Sequence, residues 1–254
     1  MKGFGILLGK ELREQTRTMR LLVVAVVFAL FGILSPLTAK YLPDILKAVG
    51  GGQIPLGLIP PPRTSDAVDQ FLKNIVQFGA LAGILLAMGS VATEKDRGTA
   101  ALVLTKPVSR AAFLAAKLVA IGLDLLVATV VAGALAWTYT LLLFGALPVA
   151  GFAAMVLAVW LVLLVFAALT FVGSTLARSA IAGAGLGVLF LVVSQVVAAL
   201  PVVGKYTPQG LLGPARELAL GGPPGDAFVP LVVTVVIVLG CGVVAWLVFR
   251  RQEL

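Results

Sequence analysis

The sequence predicts an all-α polytopic membrane protein with six transmembrane helices, and three observations support this. Hydrophobic residues fill 60% of the 254 positions and charged residues only 12%, about half the charged share of a soluble domain. Apolar runs of roughly 20 residues recur along the whole chain, each long enough to cross a hydrocarbon core. Histidine is absent and Cys241 is the only cysteine. That removes an internal disulfide, zinc and iron–sulfur sites of the usual spacing, and imidazole-based catalysis.

Backbone polar groups in lipid must pair within their own segment, so the apolar runs are helices. They fall at 21–39, 71–93, 118–144, 152–177, 181–200 and 229–249. Residues 1–254 then form a single six-span domain with no room for a separate soluble one. Residues 1–20 precede the first span and are too long for a signal-peptide n-region, so they are read as mature protein. At helical spacing Phe4, Leu8, Leu12 and Met19 share one face, and Lys10, Arg13, Arg17 and Arg20 the other. This predicts an amphipathic interfacial helix. A plain cationic anchor is the alternative.

Six spans put both termini on one side. That side carries 13 of the 19 Lys and Arg residues and the other side 6, which places both termini and the 94–117 loop in the cytoplasm. The chain is expected in the inner (cell) membrane. Its net charge of +8 reads as a topology signal with anionic lipid as counter-charge, and not as nucleic-acid binding. Outside, residues 40–70 hold Gly50–Gly52 and Pro60–Pro62 and are expected to be mostly irregular. The second outer loop, 201–228, has a short helix predicted from Pro214, a residue tolerated in a first turn. Arg178-Ser179 makes a tight cytoplasmic turn.

The remaining cytoplasmic segment, 94–117, is the one long wet stretch. Gly98 ends the second span's continuation, and Thr99 can cap a new helix beginning at Ala100. Pro107 disfavours helix at Lys106, and Ser109 can cap a helix running through Arg110 and Lys117 into the third span. Ala101, Leu102, Val103 and Leu104 are apolar and rimmed by Glu94, Lys95, Asp96, Arg97, Lys106 and Arg110. That composition suits a protein-docking helix and equally a loop whose leucines dip into lipid.

Glu94-x-x-x-Gly98-Thr99, then Leu104-Thr-Lys-Pro107-Val-Ser109-Arg110 and Lys117, resembles the permease subunit of type-2 ATP-binding-cassette transporters. Lys10-Glu11-Leu12-Arg13-Glu14 and Tyr206-Thr207-Pro208 resemble that family as well. The resemblance implies a permease domain with a short cytoplasmic coupling helix between the second and third spans. It also implies a second permease chain, a homodimer being expected, and two cytoplasmic ATPase subunits. By the same resemblance Glu94, Arg97, Gly98, Thr99, Ala101, Leu102, Leu104, Pro107, Ser109 and Arg110 would couple to the ATPase. The phosphate-cradling pattern G-x-x-x-x-G-K-[ST] is missing from the sequence. No catalytic residue, metal site or cofactor is therefore assigned to this chain, and ATP and magnesium are expected on the partner.

Asp124 is the only acid well within a span. It is expected either to pair with Lys117 or Arg178 near the membrane edge or to contact substrate. Gln195 can bond across helices or line a cavity. Gly79-x-x-x-Gly83 and Gly183-x-x-x-Gly187 permit close helix contact, and in the resembled family their spans line the central path. The function expected is an ATP-driven exporter of a hydrophobic, amphiphilic or polymeric substrate. An ion-coupled secondary transporter is the alternative, for which Asp124 alone offers a charge. An intramembrane enzyme ranks last for want of acid–base groups.

Overall fold

The computed structural model describes residues 3–49, 61–105, 107–223 and 225–252. Gly50–Gly52, Pro60, Lys2, Lys106 and Pro224, which the sequence reading used, lie outside the described residues. In chain order the helices are α1 (Phe4–Arg17), α2 (Arg20–Val49), α3 (Thr64–Ala87), α4 (Ala92–Asp96), α5 (Thr99–Leu104), α6 (Arg110–Phe144), α7 (Val149–Leu176), α8 (Ala180–Ala198), α9 (Leu212–Ala219) and α10 (Phe228–Arg250). No strand occurs among the described residues. Among the described residues, six segments are long and apolar enough to cross a membrane: Arg20–Ile45, Thr64–Asp96, Arg110–Phe144, Val149–Leu176, Ala180–Ala198 and Phe228–Arg250.

Helix α7 sits at the centre, packed by α3, α6, α8, α9 and α10. Its outer neighbour α6 carries a stripe of small buried residues, Ala128, Ala132 and Ala136. Gly32 of α2 meets the Ala132 backbone directly, and small residues on both sides let the helices approach closely. Among polar groups, Ser35 lies just before Pro36, inside α2. Its hydroxyl donates to the Phe31 carbonyl (2.6 Å) and accepts from Asn74 Nδ2 of α3 (3.0 Å), the kind of local side-chain bonding that lets a membrane helix tolerate proline.

Two expectations change here. Residues 40–70 are not mostly irregular: α2 runs through Pro43 to Val49, and α3 begins at Thr64. A helix already propagated over a whole span survives the loss of one backbone bond at Pro43. At the other edge, Asp66 Oδ2 accepts from Arg63 N (2.7 Å) and starts α3 early. The second span, expected to be continuous over 71–93, is broken at Met88–Val91 and restarts as α4. The restart has a cause: Ser174 Oγ of α7 accepts from both Val91 N (3.2 Å) and Ala92 N (3.1 Å).

Helix α9 lies at the bundle end away from the termini. Arg216 grips both oxygens of Asp69 near the start of α3, through Nε on Oδ1 and through NH2 on Oδ2 at 2.8 Å. The turn before α8 is as short as expected, with Ser179 Oγ accepting from Ala182 N (3.2 Å).

The four spaced glycines lie at contacts within the chain. A Cβ on Gly79 would meet Leu163, one on Gly187 would meet Thr170, and Gly83 faces the α7 backbone at Leu163 and Ala167. A Cβ on Gly183 would lie 2.6 Å from the Met88 carbonyl oxygen, whereas Gly185 on the same helix has open space. Gly183→Ala is therefore expected to lower unfolding free energy in detergent titrations by about 1–3 kcal/mol. Gly185→Ala is expected to cost nothing.

Candidate functional site

The break in the second span turns α4 so that Glu94 points inward at the bundle end holding both termini. Glu94 Oε1 accepts from Lys117 Nζ of α6 (2.8 Å) and from Lys10 Nζ of α1 (3.0 Å). Lys117 Nζ also donates to Glu11 Oε1 (3.0 Å), and Lys10 Nζ reaches Glu11 Oε1 (3.0 Å) and Glu14 Oε2 (3.1 Å). Three carboxylates and two ammonium groups thus join α1, α4 and α6. The carboxylates of Glu11, Glu14 and Glu94 lie close enough together to hold a metal ion, but Lys10 Nζ already contacts all three. Burial works against a charge on Lys10, yet Glu11 and Glu94 beside it outweigh that and hold its pKa above the usual lysine value.

Lys117 is the buried member, with its side chain only 3% exposed, whereas the Lys10 side chain is 42% exposed. It lies on the inward face of α6 with Ala112, Ala116 and Ala120. Such a charge is tolerated only when fully paired. Around it lies a cavity of about 340 Å³ lined by Gln15, Arg20, Arg97, Thr99 and Val103 as well as the charged groups. Glu94 Oε2 and Gln15 Oε1 are buried there without a hydrogen-bond partner.

Beyond Glu94, Gly98 turns the chain with φ of 68°, a conformation glycine adopts without Cβ strain. Thr99 Oγ1 donates to the Glu94 carbonyl (3.2 Å), and α5 follows. Ala100 is buried, Val103 packs on the core, and Leu102 is 68% exposed. The side chains of Ala101 and Leu104 lie outside the described residues. Arg97, Pro107 and Ser109 are exposed. Ser109 Oγ caps α6 by accepting from Ala112 N (3.1 Å). Arg110 turns away from α5: its NH1 donates to the carbonyls of Phe249 (3.1 Å), Arg250 (2.9 Å) and Gln252 (3.2 Å), closing the end of α10. Lys95 Nζ likewise donates to the Thr175 carbonyl (2.6 Å) and to Gln252 Oε1 (3.3 Å).

Two of the sequence expectations shift. Helix α1 buries Leu7, Glu11 and Gln15, with Phe4 and Leu8 packed beside them. Met19 instead sits exposed in the turn to α2, with φ of 58°. The ion pairs of Glu11 set the helix rotation, which apolar spacing alone missed. Asp124 is 2% exposed and does not pair with Lys117, which is taken by Glu11 and Glu94; its Oδ2 has no hydrogen-bond partner. Gln195 lies at the far end and accepts from Gln209 Nε2 (2.8 Å).

Residues 6–254 match the family model described as ABC-2 family transporter protein. The chain belongs to the ABC-2 transporter family. A relative from Bacillus subtilis (strain 168), "Uncharacterized transmembrane protein YxlG", is 30% identical over 234 residues, covering 90% of this chain and 89% of its own length. The match extends from α1 to the last helix, so the ionic junction and α5 both lie within the ABC-2 region. This is a multi-pass membrane protein of the permease type, and its family implies partnership with an ATPase subunit.

The sequence reading singled out Glu94 but not the junction it closes. Glu11 and Lys117 are 106 residues apart. The available signal was a lysine in register with buried apolar residues, Phe113, Leu114, Ala120 and Ile121, opposite an acid on the inward face of α1. Lys117→Met would leave Glu11 and Glu94 with only the half-exposed Lys10 as counter-charge, on their outer side. It is expected to destabilise the protein by about 3–5 kcal/mol, read as a lower midpoint in detergent unfolding. Lys10→Gln, at the wet edge, is expected to cost about 1 kcal/mol or less.

Proposed function

We propose that this ABC-2 protein is the permease of an ATP-driven exporter, and that a separate ATPase subunit docks on the 94–117 segment. The observation that carries this reading is α5. It is rooted by Ala100 and Val103 and presents Leu102 outward, next to a junction that ties α4 to α1 and to the start of α6. An apolar side chain held out at the end of a bundle on a rigid base suits a helix received by a partner's groove. The charge count places this end in the cytoplasm, where an ATPase would meet it, and the cell membrane is then the site of action. Two ATPase subunits carrying ATP and magnesium would serve two permease copies. The α8 face bearing Ile181, Val188, Val192 and Val196, all exposed, is apolar enough to meet a second copy.

Within this reading Glu94, Arg97, Gly98, Thr99, Ala101, Leu102, Leu104, Pro107, Ser109 and Arg110 transmit force in four ways. Leu102, together with Ala101 and Leu104 from the same helix, makes the contact. Arg97 and Thr99 flank it. Gly98, Pro107 and Ser109 shape the two turns, while Glu94 and Arg110 fasten the segment to α6 and α10. ATP-driven closure of the ATPase pair would move α5 and rock the attached spans. Helix α1, lying beside the lipid surface, would brace the assembly.

Replacing Leu102 and Leu104 with Asp is expected to abolish co-purification of the partner ATPase while leaving six-span insertion intact. Retention of the ATPase at wild-type yield by that variant would remove α5 from the docking surface.

A further inference from the structure

A second cavity, of about 490 Å³, opens between α3, α7, α8 and α9 at the end away from the termini. Its volume falls in the range of roughly 300–1,000 Å³ typical of small-molecule sites. Its floor is apolar, with Leu81, Phe166 and Leu191, and its rim carries Lys73, Gln77 and Gln195. Lys73 stands nine residues into α3, about 14 Å along the helix. Its natural helical partner is Asp69, one turn earlier, but both oxygens of Asp69 are held by Arg216. Among the described residues Lys73 and Gln77 take no hydrogen-bond or ion-pair partner. Gln195 has its carbonyl oxygen engaged by Gln209, which leaves its amide donors for the cleft. The rim therefore offers one unpaired cation and amide donors above an apolar trough.

Lys73 is exposed at the outer edge of the second span, and the ion pair that would neutralise it is diverted. We infer that this cleft binds a single-chain anionic amphiphile, with its head on Lys73 and the glutamine amides and its alkyl chain along the Leu81–Leu191 trough. Such a ligand satisfies the unpaired cation and the apolar wall together. A zwitterionic head brings its own cation to Lys73, and a cationic head is repelled. The inference rests on the exporter reading and names the substrate class of its path.

The test uses the full-length chain in phosphatidylcholine nanodiscs with a photoactivatable palmitate. Cross-linking is expected to map to α3 near Leu81 or to α8 near Leu191. Unlabelled palmitate should compete, and an alkyltrimethylammonium of equal length should not. Lys73→Gln is expected to weaken binding about tenfold, as for loss of a hydrogen bond to a charged group, and Lys73→Arg to retain it. Leu191→Trp, which fills the trough, should block palmitate while the protein remains folded. Labelling elsewhere, equal competition by the cationic amphiphile, or unchanged binding in Lys73→Gln would overturn the assignment. Displacement by phosphatidylglycerol as effective as by palmitate would also overturn it, since the cleft would then hold bulk anionic lipid. Labelling confined to monomers would show that a second copy fills the cleft, with the same consequence. ATPase capture is measured on the same samples, so its loss with palmitate binding intact would sink the exporter reading alone.

Discussion

The structure turns on one buried ammonium group. Lys117 sits on a buried face of α6 beside Phe113, Ala120 and Ile121, and Glu11 and Glu94 reach it from α1 and α4. Uncompensated, such a charge costs several kcal/mol. The three helices are therefore not free to drift apart independently. This constraint fixes the rotation of α1, the direction of α4 after the break at Met88–Val91, and through α4 the position of α5. Lys10 closes the same group from the wet side, touching all three acids.

The rest of that end of the bundle reinforces the arrangement. Ser174 holds the first amides of α4, Lys95 reaches the end of α7, and Arg110 closes the end of α10. A short helix such as α5 has little stability of its own. Rooted this way, it becomes the exposed tip of a unit that includes α1 and the start of the third span. The opposite end is tied by Arg216 and Asp69, a more exposed pair that frees Lys73 to face the outer cleft. The two ends thus use charge differently. At one end Lys10 and Lys117 are held by three acids, and at the other Lys73 has no ion-pair partner among the described residues.

Much of this architecture was legible in the sequence because its signals are local. The span lengths, the Gly98 turn, the cap at Ser109 and the tight turn at Arg178-Ser179 follow from apolar run length and side-chain chemistry within four residues. What was not legible depends on partners far along the chain. Helix α2 continues through Pro43 because the span behind it is already formed, and the second span breaks where Ser174, more than 80 residues later, takes its amides. The inward face of α1 was misjudged by apolar spacing, since its deciding residue is an acid paired across 106 positions. For Asp124, nearness to the membrane edge offers Lys117 or Arg178, and Lys117 is engaged by Glu11 and Glu94.

The central claim is that α1, α4 and α6 move as one body through the Lys117 junction. Pulsed electron–electron resonance between spin labels at Ile6 and Asp96, both exposed, tests it most directly in the ATPase-bound complex with Cys241 replaced. The account predicts one narrow distance distribution that ATP leaves unchanged and that broadens when Lys117 is replaced by glutamine. A distance that shifts with nucleotide, or a distribution just as narrow in the glutamine variant, would contradict it.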